Sequence, residues 1–427
     1  MNQALETFQL DNGLRVTVAP DHTVPAVSVN LWYRVGSAHE PLGRTGFAHL
    51  FEHMLFQGSE NVGANEHFEL VQRAGGTLNG STWLDRTNYY ETVPANYLEL
   101  ALWLEADRMG RLLPAMTQEK LDTQRDVVKN ERRWSMDNQP YGTWWERLPA
   151  LAYPPGHPFH HSLIGSFEDL DAATLDDVRA FFAKHYTPDN AVLSIVGDVE
   201  PNEARSLVER HFASIPRGSG AAALPPMDLP AGLGASREVV ADDVAACRLF
   251  AAFRVAPFGS EEGVTATICA ALLGSRRGSL LHQRLVRERK VATEVNSFTF
   301  DLPVASDLLV IDITAHPAIT GDSLEGALAD ELQALRDRGA DDGETARAVA
   351  VAENEFVVAL ESSEGRADTL SKFASYFGEP RLALQYVDQL RAVTGERVND
   401  FLRTYLRPDE QVSLLYIPRD DSALGIA

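Results

Sequence analysis

Cysteine is nearly absent from this chain. Cys247 and Cys269, the two thiols in 427 residues, are too few for a disulfide framework or a cysteine zinc site, and a reducing compartment is the default expectation. Long apolar runs are missing too. None approaches the ~18 residues that a membrane-spanning helix needs, so no membrane span is expected. The opening MNQALETFQLDNGLRV has neither a basic start nor an apolar core, so no secretory signal is expected. That makes the cytoplasm the expected location, or the periplasm if a leader has been removed. Positive charge is scarce: 38 Lys and Arg stand against 61 Asp and Glu, a formal net charge of −23. Such a surface repels nucleic-acid phosphates, so no nucleic-acid partner is expected. It suits basic peptides, although an acidic surface also serves solubility alone.

What is present is globular. Hydrophobic residues make up 44% and charged residues 23% of the chain, enough for a large core, and the length points to two domains or more. Alternating apolar residues around Asn12-Gly13 predict a hairpin, and Val27, Val29, Leu31 and Tyr33 predict a further strand. Helical patterns follow over about 66–73, ending at Gly75-Gly76, then over 98–112, 118–135 and 175–185. Residues 77–93 read as a second hairpin with its turn near Asp85-Arg86, and 192–196 as a strand.

The stretch PRGSGAAALPPMDLPAGLG is rich in Pro, Gly and Ala and reads as a linker. After it the first half recurs. Val178, Phe181, Pro188, Asp189 and Val192 reappear 220 residues later as Val398, Phe401, Pro408, Asp409 and Val412, and Arg34-Val35 reappears as Arg254-Val255. A constant displacement at opposite ends of each half implies internal duplication. The expected organisation is a first half over 1–215, a linker over 216–237 and a homologous second half over 238–427.

Between the first strands and the second hairpin stands His49-Leu50-Phe51-Glu52-His53. Its apolar surroundings predict a helix, on which residues i and i+4 share a face. Two imidazoles on one face beside a carboxylate suit a zinc ion with an open position for water, while a structural histidine pair on a core helix is the plainer reading. The duplication weighs on that choice. Residues 220 further on are Cys269, Leu272 and Leu273, so the second copy keeps the apolar pattern and drops every polar group. Zinc needs another protein ligand, and the helix over 118–135 offers Glu131 in VVKNERR, with a solvated helix glutamate as the alternative reading. His157, His160 and His161 lie among prolines in PPGHPFHHS, where regular ligand spacing is lost and packing histidines are expected. Arg276, Arg277, Arg284, Arg287 and Arg289 read as a basic helix face, solvated or facing carboxylates.

HLFEHMLFQGS, AGGTLNGSTWLDRTNYYETVP, VVKNERR and YTPDNAVLSIVGD, with Glu131 following His53 by 78 residues, resemble the pitrilysin/insulysin family of inverzincin metallopeptidases. The likeness is to its short, mitochondrial-processing-peptidase-like branch and extends over nearly the whole chain. It implies an α+β fold of two homologous halves, each a mainly antiparallel β-sheet packed by helices, together half of a clamshell peptidase. It implies one Zn2+ per chain on His49, His53 and Glu131, and Glu52 as general base for a zinc-bound water in peptide hydrolysis. An extended peptide would lie along Thr77–Trp83, with Asn79 and Arg287 as substrate-binding residues. Two departures stand out. Gln124 replaces a glutamate common in the family, and Thr293 replaces the tyrosine that partners the arginine matched by Arg287. The resemblance therefore implies a heterodimer with a homologous zinc-free subunit that supplies an Arg/Tyr pair, with a homodimer as second choice. The alternative function is a non-catalytic core subunit of a larger complex.

Overall fold

The computed structural model describes residues 5–220, 229 and 233–419; half of the expected linker, 221–228 and 230–232, therefore lies outside the described residues. Eleven strands form among them: β1 Glu6–Gln9, β2 Arg15–Pro20, β3 Ala26–Tyr33, β4 Thr77–Thr82, β5 Thr87–Pro94, β6 Ala191–Gly197, β7 Ser236–Asp242, β8 Arg248–Val255, β9 Ala292–Thr299, β10 Asp307–Ala315 and β11 Val412–Pro418. They build a six-stranded sheet in the order β1-β2-β6-β3-β5-β4 and a five-stranded sheet in the order β7-β11-β8-β10-β9. Pairing is antiparallel except for β2 with β6 and β7 with β11. The fold is thus the expected α+β class of two sheets packed by helices. No helix among the described residues is long and apolar enough to cross a membrane.

The chain divides into two compact units. One comprises residues 1–132, 161–225 and 357–386, and the other 133–160, 226–356 and 387–427. These lines differ from a simple cut at the linker. The exchanged segments, 133–160 and 357–386, occupy nearly equivalent places in the two repeats, so each repeat lends its counterpart helix to the other unit.

In the first unit, strand alternation explains what the borrowed helix does. Ser28, Asn30 and Trp32 point to the helix Ser363–Phe377: Ser28 bonds Ser363 at 2.7 Å, and the Trp32 indole N–H donates to Asp368 at 2.9 Å. Tyr33, next along β3, points the other way and packs on Tyr89 and Tyr186. Both faces of the sheet are covered, which is why β3 is buried along almost its whole length. In the second unit the helix Trp144–Ala152 plays the matching role. Trp144 stacks on Phe250 of β8, and Thr143 bonds Tyr416 of β11 at 2.8 Å.

Cys247 and Cys269 are both buried and unpaired. His157 stacks on Tyr153, and His160 bonds the Tyr153 carbonyl at 2.7 Å. They are packing histidines, and neither belongs to a group that could hold a metal among the described residues.

Candidate metal centre

The site is built on α1, Phe47–Met54. Its sequence FAHLFEHM has no helix breaker, and its start is fixed by two features. Gly46 takes φ +86 and lies so close to Ile164 that a Cβ would meet the carbonyl oxygen at 2.5 Å. The Glu40 carboxylate accepts from the Gly46 and Ala48 N–H groups at 2.8 and 2.7 Å, satisfying donors that the first turn leaves open. Phe47 and Phe51 then lock one face of the helix against Phe181, and Phe51 also stacks on Tyr186. That packing turns His49, Glu52 and His53 toward the opposite face.

Two further helices, α2 Glu66–Arg73 and α3 Leu98–Arg111, precede α4, Gln118–Arg132. α4 brings Glu131 over the histidines. His49 Nε2 lies 3.6 Å from one Glu131 oxygen, and His53 Nε2 lies 3.1 Å from the other. A zinc ion with ligand bonds of about 2.0–2.1 Å places tetrahedral donors roughly 3.3 Å apart. The two observed separations bracket that value, so these side chains fit the ion. At 3.6 Å the His49 pair is too long for a hydrogen bond, which a purely structural pairing would be expected to make. Burial lowers the His49 pKa to about 4, leaving a neutral imidazole with a free lone pair. The His53 ring holds Glu131 below its ordinary range against the opposing effect of burial.

Glu52 shares the helix face but stands outside the donor trio. It accepts from the Thr82 hydroxyl at 2.7 Å. Burial raises its pKa, while Thr82 and His53 pull it back. A carboxylate held near its donors but outside their set can move protons. Gln124 is buried on α4, an uncharged amide at the position where the family resemblance implied a glutamate.

The remaining predicted residues lie elsewhere. Asn79 is exposed on β4, with its side-chain oxygen turned back to accept from the Gly80 N–H at 2.9 Å. β4 ends the first sheet, and no strand pairs with its outer side among the described residues. Arg287 lies in the second unit, where it lines a cavity of about 770 Å³ with Arg276, Arg277, His282 and Thr293. The Thr293 hydroxyl bonds the Thr314 carbonyl at 3.3 Å, tied to its own sheet.

A second group of potential ligands, unforeseen from the sequence, joins His67 of α2, Glu91 of β5 and Glu105 of α3. All three are buried. Here a resident cation is already present: Arg108 grips both carboxylate oxygens of Glu105 with one edge of its guanidinium, Nε at 2.8 Å and Nη2 beside it, and lies 4.1 Å over the Tyr89 ring. Burial raises Glu91 to about 7 and Glu105 to about 8, and lowers His67 to about 3. One proton on the carboxylate pair makes the group neutral. A divalent ion beside the guanidinium would leave excess buried charge. The first trio, and not this one, has the character of a metal site.

Comparison with known proteins agrees with this class. The profile of the insulinase family (peptidase family M16) matches residues 15–154, and that of the peptidase M16 inactive domain matches residues 172–351. The chain belongs to the M16 family, whose curated relatives are named zinc proteases.

Among particular proteins, it is 30% identical over 401 residues to the zinc protease PqqE of Helicobacter pylori, covering 93% of this chain and 88% of that one. The crystal structure of a protease from Helicobacter pylori superposes with a TM-score of 0.90 at 27% identity, covering 97% of this chain and 100% of that one. A chain of complex III2 from Candida albicans shares the fold alone, with a TM-score of 0.81 at 15% identity over 97% of this chain and 96% of that one.

Proposed function

We propose that the chain is a zinc-dependent endopeptidase subunit that hydrolyses peptides or unfolded segments. The observation that carries this reading is the convergence of His49, His53 and Glu131 beside a carboxylate, Glu52, that is not needed as a ligand. His49, His53 and Glu131 would hold the ion. The chemistry that a bound zinc supplies is polarisation of the scissile carbonyl and acidification of a water toward a pKa of roughly 7.

The chain's own groups do the rest. Glu52 takes the proton of the attacking water on the oxygen that Thr82 leaves free, then passes it to the departing amine. The outer side of β4 offers main-chain donors and acceptors to an extended peptide, with Asn79 at its centre, so recognition reads backbone more than side chains. Arg287 serves substrate holding in the second unit. Because Thr293 has too short a stem to act as a phenol would, a homologous zinc-free subunit with an Arg/Tyr pair is the proposed partner. A homodimer is the second choice.

A second reading, a non-catalytic core subunit, draws on the fold shared with the complex III2 chain. The intact donor trio speaks against it.

The test is Glu52→Gln beside His49→Ala. The first should retain about one zinc per chain and lose hydrolysis of an unfolded peptide by on the order of 10²- to 10⁴-fold. The second should lose both metal and activity. Full activity of Glu52→Gln removes the general-base role. A wild-type chain that binds no zinc returns the core-subunit reading.

A further inference from the structure

We infer that Thr82 is a positioning residue that holds the Glu52 carboxylate in its working orientation, making β4 part of the alignment of the general base. This rests on the endopeptidase reading and adds to it a residue that acts through Glu52.

The contact is specific in direction. Thr82 Oγ1 lies 2.7 Å from Glu52 Oε2. Its other neighbour, Thr87 Oγ1, is 3.4 Å away and already donates to the Val35 carbonyl at 2.7 Å. With the Thr87 proton committed there, the Thr82 proton is free to go to Glu52. One carboxylate oxygen is thereby tied and the other left open.

The stem of Glu52 is pinned as well. A Cβ added to Gly80 would stand 3.2 Å from Glu52 Cγ, 3.2 Å from Tyr89 and 3.3 Å from Phe56. The strand therefore passes close beside the glutamate, and a Cβ at Gly80 would fit only if these side chains gave way by a few tenths of an ångström. Two alternate residues of one strand, Gly80 and Thr82, thus bear on the same side chain, as the two-residue period of a strand requires. Glu52 is a long side chain with several rotamers to lose on ordering. It sits on a helix while its anchor sits on a sheet edge. A peptide added to β4 would pair with the strand whose last residue orients the base, so substrate docking and base alignment share one element.

Thr82→Val keeps the branched shape and removes the hydroxyl, and Thr82→Ser keeps the hydroxyl. Both are compared as zinc-loaded chains on an unfolded fluorogenic peptide, with the homologous partner subunit present in every reaction. Thr82→Val should lower kcat about 10- to 100-fold, the scale of a modest misplacement of a reacting group, with KM and zinc content close to wild type. Thr82→Ser should recover most of the loss. In crystals of the metal-free proteins, Glu52 should hold one conformer in wild type and Thr82→Ser, and several in Thr82→Val. Wild-type kcat in Thr82→Val, a loss that Thr82→Ser fails to recover, lost zinc, or an unmoved Glu52 in the Thr82→Val crystal each overturns the assignment. Failure of the endopeptidase reading looks different: the wild-type chain itself would then show no hydrolysis above the Glu52→Gln protein.

Discussion

Helix α1 and the helix Glu261–Leu273 stand at matching places in the two repeats, yet they solve different problems. Residue 40 of the first repeat is Glu40, whose carboxylate reaches the backbone of Gly46 and Ala48. Its counterpart is Ser260, which caps its helix directly by accepting from the Gly263 N–H at 3.0 Å. The second helix therefore begins about two turns earlier, while Pro41, Gly43 and Gly46 delay the first. His49 and the half-buried Glu52 and His53 form a polar face on α1. Cys269, Leu272 and Leu273, in the same places, are wholly buried.

A similar contrast holds deeper in the first sheet. Glu91 pairs with Val29, and in the second sheet Ile313 pairs with Leu249, the residue 220 beyond Val29. The fold accepts apolar side chains at both positions. The polar groups of the first repeat are not required by the architecture.

Three substitutions test the contrast between the repeats. The largest expected stability effect is from Arg108→Leu, which leaves Glu105 and Glu91 buried without their cation. We expect a loss of about 3–5 kcal/mol in chemical denaturation, and an unchanged midpoint would show that the cluster is already neutral without the guanidinium. Next is Leu273→His, which copies part of the first helix into the second. A fully buried leucine exchanged for a ring with polar nitrogens should cost roughly 2–4 kcal/mol. A wild-type melting temperature would mean that the second helix tolerates the polar face after all.

The smallest is Glu91→Gln, read against pH. Glu91 is raised by burial to about 7 in the folded chain from an ordinary 4.5. The folded state keeps a proton that the unfolded state releases, so stability is lost as pH rises from about 4.5 through about 7. Glu91→Gln should lack that part of the slope and exceed wild type at pH 8 by on the order of 1–3 kcal/mol relative to pH 5. Parallel pH profiles for the two proteins would contradict it.

Local patterns were legible in the sequence to different depths. The helix predicted over 66–73 is Glu66–Arg73, and the hairpin over 77–93 is β4 and β5, because both are bounded by strong turn residues. The helix predicted over 118–135 stops at Arg132 and passes into a wider turn over Arg133–Asp137, where the chain leaves the first unit for the second. Nothing in a local window reports that change of unit. The buried group of His67, Glu91, Glu105 and Arg108 was equally hidden, since its members come from two helices and a strand. Each alone reads as an ordinary surface residue.

The duplication and the shared face of His49 and His53 could be read from the order of residues, because they depend on repetition and on the fixed geometry of one helical turn; the α+β class came with the family resemblance. It took the packed chain to show that Glu131 closes on both rings, that Thr82 meets Glu52, that Arg108 takes the centre of the second cluster, and that the repeats exchange a helix. Those contacts join residues remote along the chain. They follow from how separate elements pack, which no single stretch of sequence encodes.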